Sequence, residues 1–195
     1  FEKEFTPRRT TKERKETNQE KDKGKKVMVK VIDNFLSKEV FEPIQGFFIN
    51  KNCPWYLIDS VTNDIQDGKY YYMVHNVYDE YTPSSDAFSL LNQLVMKSLN
   101  PISILRIKAN MYPNQGTPLH KHISHTDYNF KHKAAILSLN TCDGGTHIGD
   151  KFVKSEENRI VIFDGSLPHS STTCTDKQYR VNIGINYIDE DCTIK

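Results

Sequence analysis

Residues 104–112 alternate cleanly, with Leu105, Ile107, Ala109 and Met111 on one side and Arg106, Lys108, Asn110 and Tyr112 on the other. A period of two marks a strand with one apolar and one polar face. Residues 180–187 repeat it, setting Val181, Ile183, Ile185 and Tyr187 against Arg180, Asn182, Gly184 and Asn186. Between them, 134–140 reads as another strand, and 159–163 as one that runs into the turn Asp164-Gly165. Gly144-Gly145 reads as a tight turn between strands. Two strands with one polar and one apolar face imply a sheet that packs helices outside and lines a polar pocket inside.

The first half has a different rhythm. Residues 27–32 are apolar enough for a strand, and Ser37 can cap a helix carrying Val40, Phe41, Ile44, Phe47 and Phe48 along one stripe. Pro43 is tolerable there only near the first turns. Residues 53–61 and 69–77 predict two strands joined by a hairpin-type connection over 62–68. A second helix begins near Ser84 or Ser85, shows Phe88, Leu91, Leu94, Val95 and Leu99 at helical spacing, and stops at Pro101. Helices first and strands later is the order expected when helices brace one sheet of a β-sandwich. The tyrosines 70, 71, 72, 78 and 81 supply either strand core and rim or a substrate groove, because each offers apolar area with a polar tip.

Composition adds limits. A length of 195 residues suits one domain with a real core. The formal net charge of +1 makes no global case for nucleic acid. Residues 1–26 are nearly devoid of apolar side chains and interleave Lys and Arg with Glu, which predicts a charged flexible arm ahead of a single domain over 27–195. The chain opens on Phe1, as a fragment or a processed product would. Cys53, Cys142, Cys174 and Cys192 show no paired spacing and no zinc pattern, so reduced thiols in a cytoplasmic, soluble protein are expected. No run is long and apolar enough to span a membrane.

The chemistry lies in the polar residues that punctuate the strands. His125-Thr126-Asp127 is followed by His169 after a turn and by Arg180 at the start of the last long strand. Two imidazoles and one carboxylate can cap one face of Fe(II) and leave the opposite positions open. A fixed guanidinium nearby can hold a small dicarboxylic acid by paired, charge-assisted hydrogen bonds. Taken alone, a His beside an Asp is more often a solvated surface pair, and an Arg at a strand start more often a surface charge. The ordered series of strand, His-x-Asp, strands, turn-His and Arg-bearing strand favours a site.

That series resembles the double-stranded β-helix (jelly-roll, cupin-like) core of the Fe(II)/2-oxoglutarate-dependent dioxygenases, particularly their compact prolyl-hydroxylase-like branch. The likeness covers the core, about 102–188, and implies a mainly β fold with bracing helices. It implies that His125, Asp127 and His169 ligate Fe(II), with no catalytic residue beyond them. It further implies that Arg180, helped by Tyr112, pairs with the far carboxylate of 2-oxoglutarate, with O2 as the other co-substrate and ascorbate as an optional addition. Asn110-Met111-Tyr112 and Arg180-Val181-Asn182 also resemble the co-substrate-binding strands of the alkylation-reversal nucleic-acid dioxygenases, which brings Asn110 and Asn182 into the site. There Asn186 stands where that branch carries a second Arg.

The function implied is hydroxylation of a substrate, with a protein or peptide side chain the expected partner and succinate and CO2 released. Hydroxylation or demethylation of a nucleic-acid base is the alternative enzyme reading, and a non-catalytic cupin-like module that binds a metal or ligand is the third. His120-Lys121-His122 resembles the His-x-His of cupins, but His120 and His122 are expected in the loop over the site, and His75, His132 and His147 in structural or exposed places.

Overall fold

A computed structural model describes residues 29–50, 52–59 and 70–192. The charged arm at 1–26 and the hairpin connection at 62–68 lie outside the described residues.

Eleven strands and two helices appear among those residues, in the order β1 (Lys30–Ile32), α1 (Lys38–Ile49), β2 (Tyr56–Ile58), β3 (Tyr72–Asp79), β4 (Thr82–Pro83) and α2 (Ala87–Asn92). Then follow β5 (Ser103–Pro113), β6 (Lys133–Ser138), β7 (Gly145–Ile148), β8 (Lys151–Lys154), β9 (Ile160–Asp164), β10 (His169–Ser171) and β11 (Tyr179–Ile188). The large sheet is ordered β1-β9-β6-β11-β5-β3-β2, with β4 added beside β3, and the small one is β10-β7-β8. Every pairing is antiparallel. Bridges from Lys121 to Thr172 and from His125 to His169 draw the 120–125 segment against β10, on the small-sheet side.

The two alternating strands lie side by side at the centre of the large sheet, with Arg180 opposite Tyr112, Asn182 opposite Asn110, Gly184 opposite Lys108 and Asn186 opposite Arg106. Their apolar faces, including Ile107, Ala109, Val181, Ile183 and Ile185, join Phe41, Ile44, Phe48 and Leu91 from the helices in one buried cluster. Each such side chain withdrawn from water contributes about 1.5–3 kcal/mol. This apolar seam holds the polar faces of the same strands toward the small sheet.

Local details differ from expectation. Helix α1 runs straight through Pro43, which sits in the second turn. Ser37 occupies the N-cap position, but its hydroxyl makes no capping bond and its carbonyl accepts from the Val40 and Phe41 amides instead. Helix α2 is short and widens into a π-helical segment, Gln93–Leu99, before Pro101. Gly144-Gly145 is not the hairpin turn: β7 and β8 reverse at Gly149 and Asp150, where Gly149 takes a φ of +54°. The glycine pair is required by crowding. A Cβ on Gly144 would stand 2.2 Å from the Thr173 carbonyl oxygen and 3.1 Å from Arg180 Cδ.

Candidate metal centre and cleft

His125 and His169 face each other across the bridge that joins their backbones, each amide donating to the other's carbonyl at 2.9 Å. Asp127 follows His125 by two residues, so its side chain emerges on the same side. One ligand atom from each of His125, Asp127 and His169 lies within 4.8 Å of the others. His120 and His122 are outside this cluster, packed instead around Tyr70 and Tyr112. His75 is buried between Pro54 and Ser85, and His132 is buried with Nδ1 on the Phe130 carbonyl, as structural histidines.

The donor set fits a divalent metal on three counts. The Nδ1 atoms face backbone carbonyls, Leu167 at 2.9 Å from His169 and Ile123 at 3.4 Å from His125, which turns Nε2 of each ring toward the centre, that of His169 lying 3.5 Å from Asp127 Oδ2. Burial, then the neighbouring His169, lowers the pKa of His125 and keeps its imidazole neutral. Burial opposes ionisation of Asp127, yet hydrogen bonding from His169, the Arg106 charge and the Asn186 amide outweigh it and hold the carboxyl far below the usual range. Two imidazoles and an ionised carboxylate beside an open cleft are the donor pattern of a non-haem Fe(II) site.

Asp127 is oriented from the large sheet. Arg106 Nη2 donates to Oδ1 at 2.6 Å, and Asn186 Nδ2 to Oδ2 at 2.9 Å. Arg106 also reaches Asn186 Oδ1 at 3.3 Å. Arg106 and Asn186 stand directly across the ladder from each other, so one cross-strand pair holds both carboxylate oxygens.

The cleft beside the triad is walled by the polar faces of β5 and β11, with Asn110, Tyr112, Asn182 and Gly184 on its surface. Asn110 donates to Asn182 across the strands at 3.1 Å. Tyr72 stacks on Tyr112, the rings 5.5 Å apart and nearly parallel, and both line the cleft. Tyr78 packs on Phe88 in the core, and Tyr81 is exposed, so the tyrosines divide between rim, groove and core.

Arg180 is wholly buried one layer behind this surface. Its Nη2 donates to Thr146 Oγ1 at 2.9 Å, Nη1 to the Thr172 carbonyl and Nε to Ser155 Oγ, each at 3.3 Å. Its guanidinium carbon lies 5.2 Å from the Tyr112 ring centre. Thr146 and Tyr112 both reach the cleft, so the guanidinium stands immediately behind its wall.

Two cations on the polar face of β5 had no role assigned from sequence. Arg106 orients Asp127, and Lys108 lines the cleft two residues further on. Their alternation with Asn110 and Tyr112 was the available signal for both.

No family model matches the chain, and no curated protein matches it in sequence. Solved structures do match. A prolyl hydroxylase from Trichoplax adhaerens, in complex with a hypoxia inducible factor oxygen degradation domain peptide, superposes with a TM-score of 0.58 at 16% identity, over 94% of this chain and 95% of that one. A Pseudomonas putida prolyl-4-hydroxylase gives 0.56 at 15% identity, over 84% and 94%. HygX from Streptomyces hygroscopicus, solved with nickel and 2-oxoglutarate bound, gives 0.55 at 10% identity, over 84% of each chain. The chain has the fold of the 2-oxoglutarate, Fe(II)-dependent oxygenases. That fold includes the jelly-roll core that the family resemblance implied, with the prolyl hydroxylases among its neighbours. No described helix is long and apolar enough to cross a membrane.

Proposed function

We propose that this chain is a 2-oxoglutarate- and Fe(II)-dependent dioxygenase that hydroxylates a protein or peptide side chain. The observation that carries the reading is the convergence of His125, Asp127 and His169 at the mouth of a polar cleft, in a fold shared with such oxygenases. Bound Fe(II), with 2-oxoglutarate and O2, supplies the oxidising chemistry, in which the co-substrate leaves as succinate and CO2.

The chain's own residues supply position and charge. His125 and His169 offer imidazole nitrogens, and Asp127 offers a carboxylate whose orientation is set by Arg106 and Asn186. Arg180 provides the positive charge for the distal carboxylate of 2-oxoglutarate, with Tyr112 beside it. To reach that carboxylate, its Nη2 exchanges the neutral Thr146 hydroxyl for an ionised acceptor of opposite charge. Asn110 and Asn182 line the path between the two ends. A peptide substrate is favoured by the compact, prolyl-hydroxylase-like architecture and by the peptide seated on the Trichoplax neighbour. All four cysteines are free, as suits the reduced cytoplasmic setting proposed for it.

Succinate release by the Fe(II)-loaded full chain, measured against panels of peptides and of methylated oligonucleotides, tests the proposal. Stimulation by a peptide supports it. Stimulation by oligonucleotides alone moves the chain to the nucleic-acid reading, and tight metal binding without any 2-oxoglutarate binding moves it to the cupin-like module.

A further inference from the structure

Three basic side chains approach the cleft, and two are already engaged. Arg106 is held by Asp127 and Asn186, and Arg180 by Thr146, Ser155 and the Thr172 carbonyl. Lys108 is different. It lines the cleft on the β5 face between Arg106 and Asn110, yet among the described residues no acceptor is hydrogen-bonded to its ammonium and no carboxylate pairs with it. Its recorded partner is the Tyr72 ring, whose centre lies 5.7 Å from Nζ. Opposite it on β11 stands Gly184, which adds no side chain to fill the space.

An ammonium that lines a cleft with no acceptor beside it is left to water, and a ligand that brings a carboxylate replaces that water with a charge-assisted hydrogen bond. Neighbouring charges set the sign of that ligand. Arg106 repels a second cation, while Asp127 and Asp79 attract the ammonium without pairing with it, and Asp127 is taken by Arg106, Asn186 and the metal role. A single lone ammonium matches a single negative charge, which favours a carboxylate over a phosphate dianion.

We propose that Lys108 anchors a carboxylate of the primary substrate, so that the cleft selects an acidic side chain or a free acid. This rests on the function proposed above: Arg180 and the metal there take the two carboxylates of 2-oxoglutarate and leave Lys108 for the substrate. A neutral substrate gains nothing from Lys108, and a cationic one is repelled by it and by Arg106.

The test uses the full chain loaded with Mn(II), with calorimetric binding as the readout. The probes are 2-oxoglutarate and, with it saturating, the blocked tripeptides acetyl-Ala-Glu-Ala-amide and acetyl-Ala-Gln-Ala-amide. The expected result is a preference for the Glu peptide of roughly tenfold or more, as suits one charge-assisted hydrogen bond. The preference should vanish in Lys108→Met and survive in Lys108→Arg, while 2-oxoglutarate affinity changes little. Thermal melts of both variants report on folding, and Lys108→Gln replaces the Met variant if that one melts early. Equal binding of the two peptides to the wild-type protein, or a preference that persists in Lys108→Met, overturns the anchor. Loss of 2-oxoglutarate binding in Lys108→Met assigns the carboxylate to the co-substrate and overturns the substrate role. Failure of the oxygenase reading shows separately, as 2-oxoglutarate that binds neither the wild-type protein nor any variant.

Discussion

Arg106 Nη2 lies 2.6 Å from Asp127 Oδ1, so the carboxylate of the candidate metal triad is held from the large sheet while the two histidines lie on the small-sheet side. The pair is only partly exposed, at 25% and 15% of the side-chain surfaces, which leaves the bond less screened than a surface ion pair. With Asn186 on Oδ2, the contact fixes the plane of the carboxylate before any metal arrives.

Removing that support should loosen the metal site without unmaking it. Arg106→Gln leaves all three ligands in place but frees Asp127 to rotate, and the loss of such an orienting partner costs about 10- to 100-fold in metal affinity. Competition of Mn(II) against a calibrated chelator measures this. Wild-type affinity in Arg106→Gln would show that the histidine pair alone sets the geometry.

The ligand assignment makes a sharper demand. His125→Ala, Asp127→Ala and His169→Ala should each lose most Fe(II) or Mn(II), whereas His120→Ala and His122→Ala should keep it, because their rings pack around Tyr70 and Tyr112 and not in the cluster. Elemental analysis of the purified variants decides the matter, and full occupancy in His169→Ala removes that residue from the site.

How much of this was legible in the sequence depended on length and period. The alternation in β5 and β11 runs over 104–112 and 180–187, long enough for both faces to be assigned, and the burial of Ile107, Ala109, Ile183 and Ile185 follows that assignment. β7 and β8 have four residues each, too few for a period to show, and the glycines at 144 and 145 resembled a turn because crowding and turning both select the residue without a Cβ. The site divided in the same way. The three clustered residues were readable from their order, since His-x-Asp sets two ligand side chains together and the turn after β9 leads to His169 at the head of β10, whereas the isolated bridge that brings His125 to His169 left no signal in the sequence. Arg106 and Lys108 were readable as facing inward, but their contacts with Asp127 and Tyr72 depend on where the segment carrying Asp127 crosses and on the register of β3 against β5, which settles only on pairing.

Arg180 and Gly144 should fail together. Arg180→Met keeps an unbranched stem of smaller volume and removes a buried charge that has no acidic partner among the described residues, so the fold should persist while 2-oxoglutarate binding to the Mn(II)-loaded protein is lost. Gly144→Ala leaves the charge and crowds it. The added methyl meets backbone at 2.2 Å and Arg180 Cδ at 3.1 Å, which should cost roughly 1–3 kcal/mol of stability and weaken 2-oxoglutarate binding as the guanidinium shifts. Denaturant titration and calorimetry read the two effects, and a Gly144→Ala protein with wild-type values in both refutes the crowding.

Lys108 should leave a signature in the pH dependence of stability. Burial, followed by repulsion from Arg106, depresses its pKa from 10.5 to about 8 in the folded protein. Below that value the ammonium is charged in both states, and the native state bears the cost of burying it. Between about 8 and 10.5 the native lysine has released its proton while the unfolded one retains it, so the unfolded state binds more protons and stability rises with pH. Lys108→Met lacks the group and serves as the reference that cancels every other titration. Stability of the wild type relative to Lys108→Met should therefore climb by roughly 2 kcal/mol between about pH 7 and pH 9.5, measured by urea unfolding of the metal-free proteins. A flat difference across that window would mean that Lys108 keeps its ordinary affinity for the proton and that its ammonium is solvated, not held against the cleft wall.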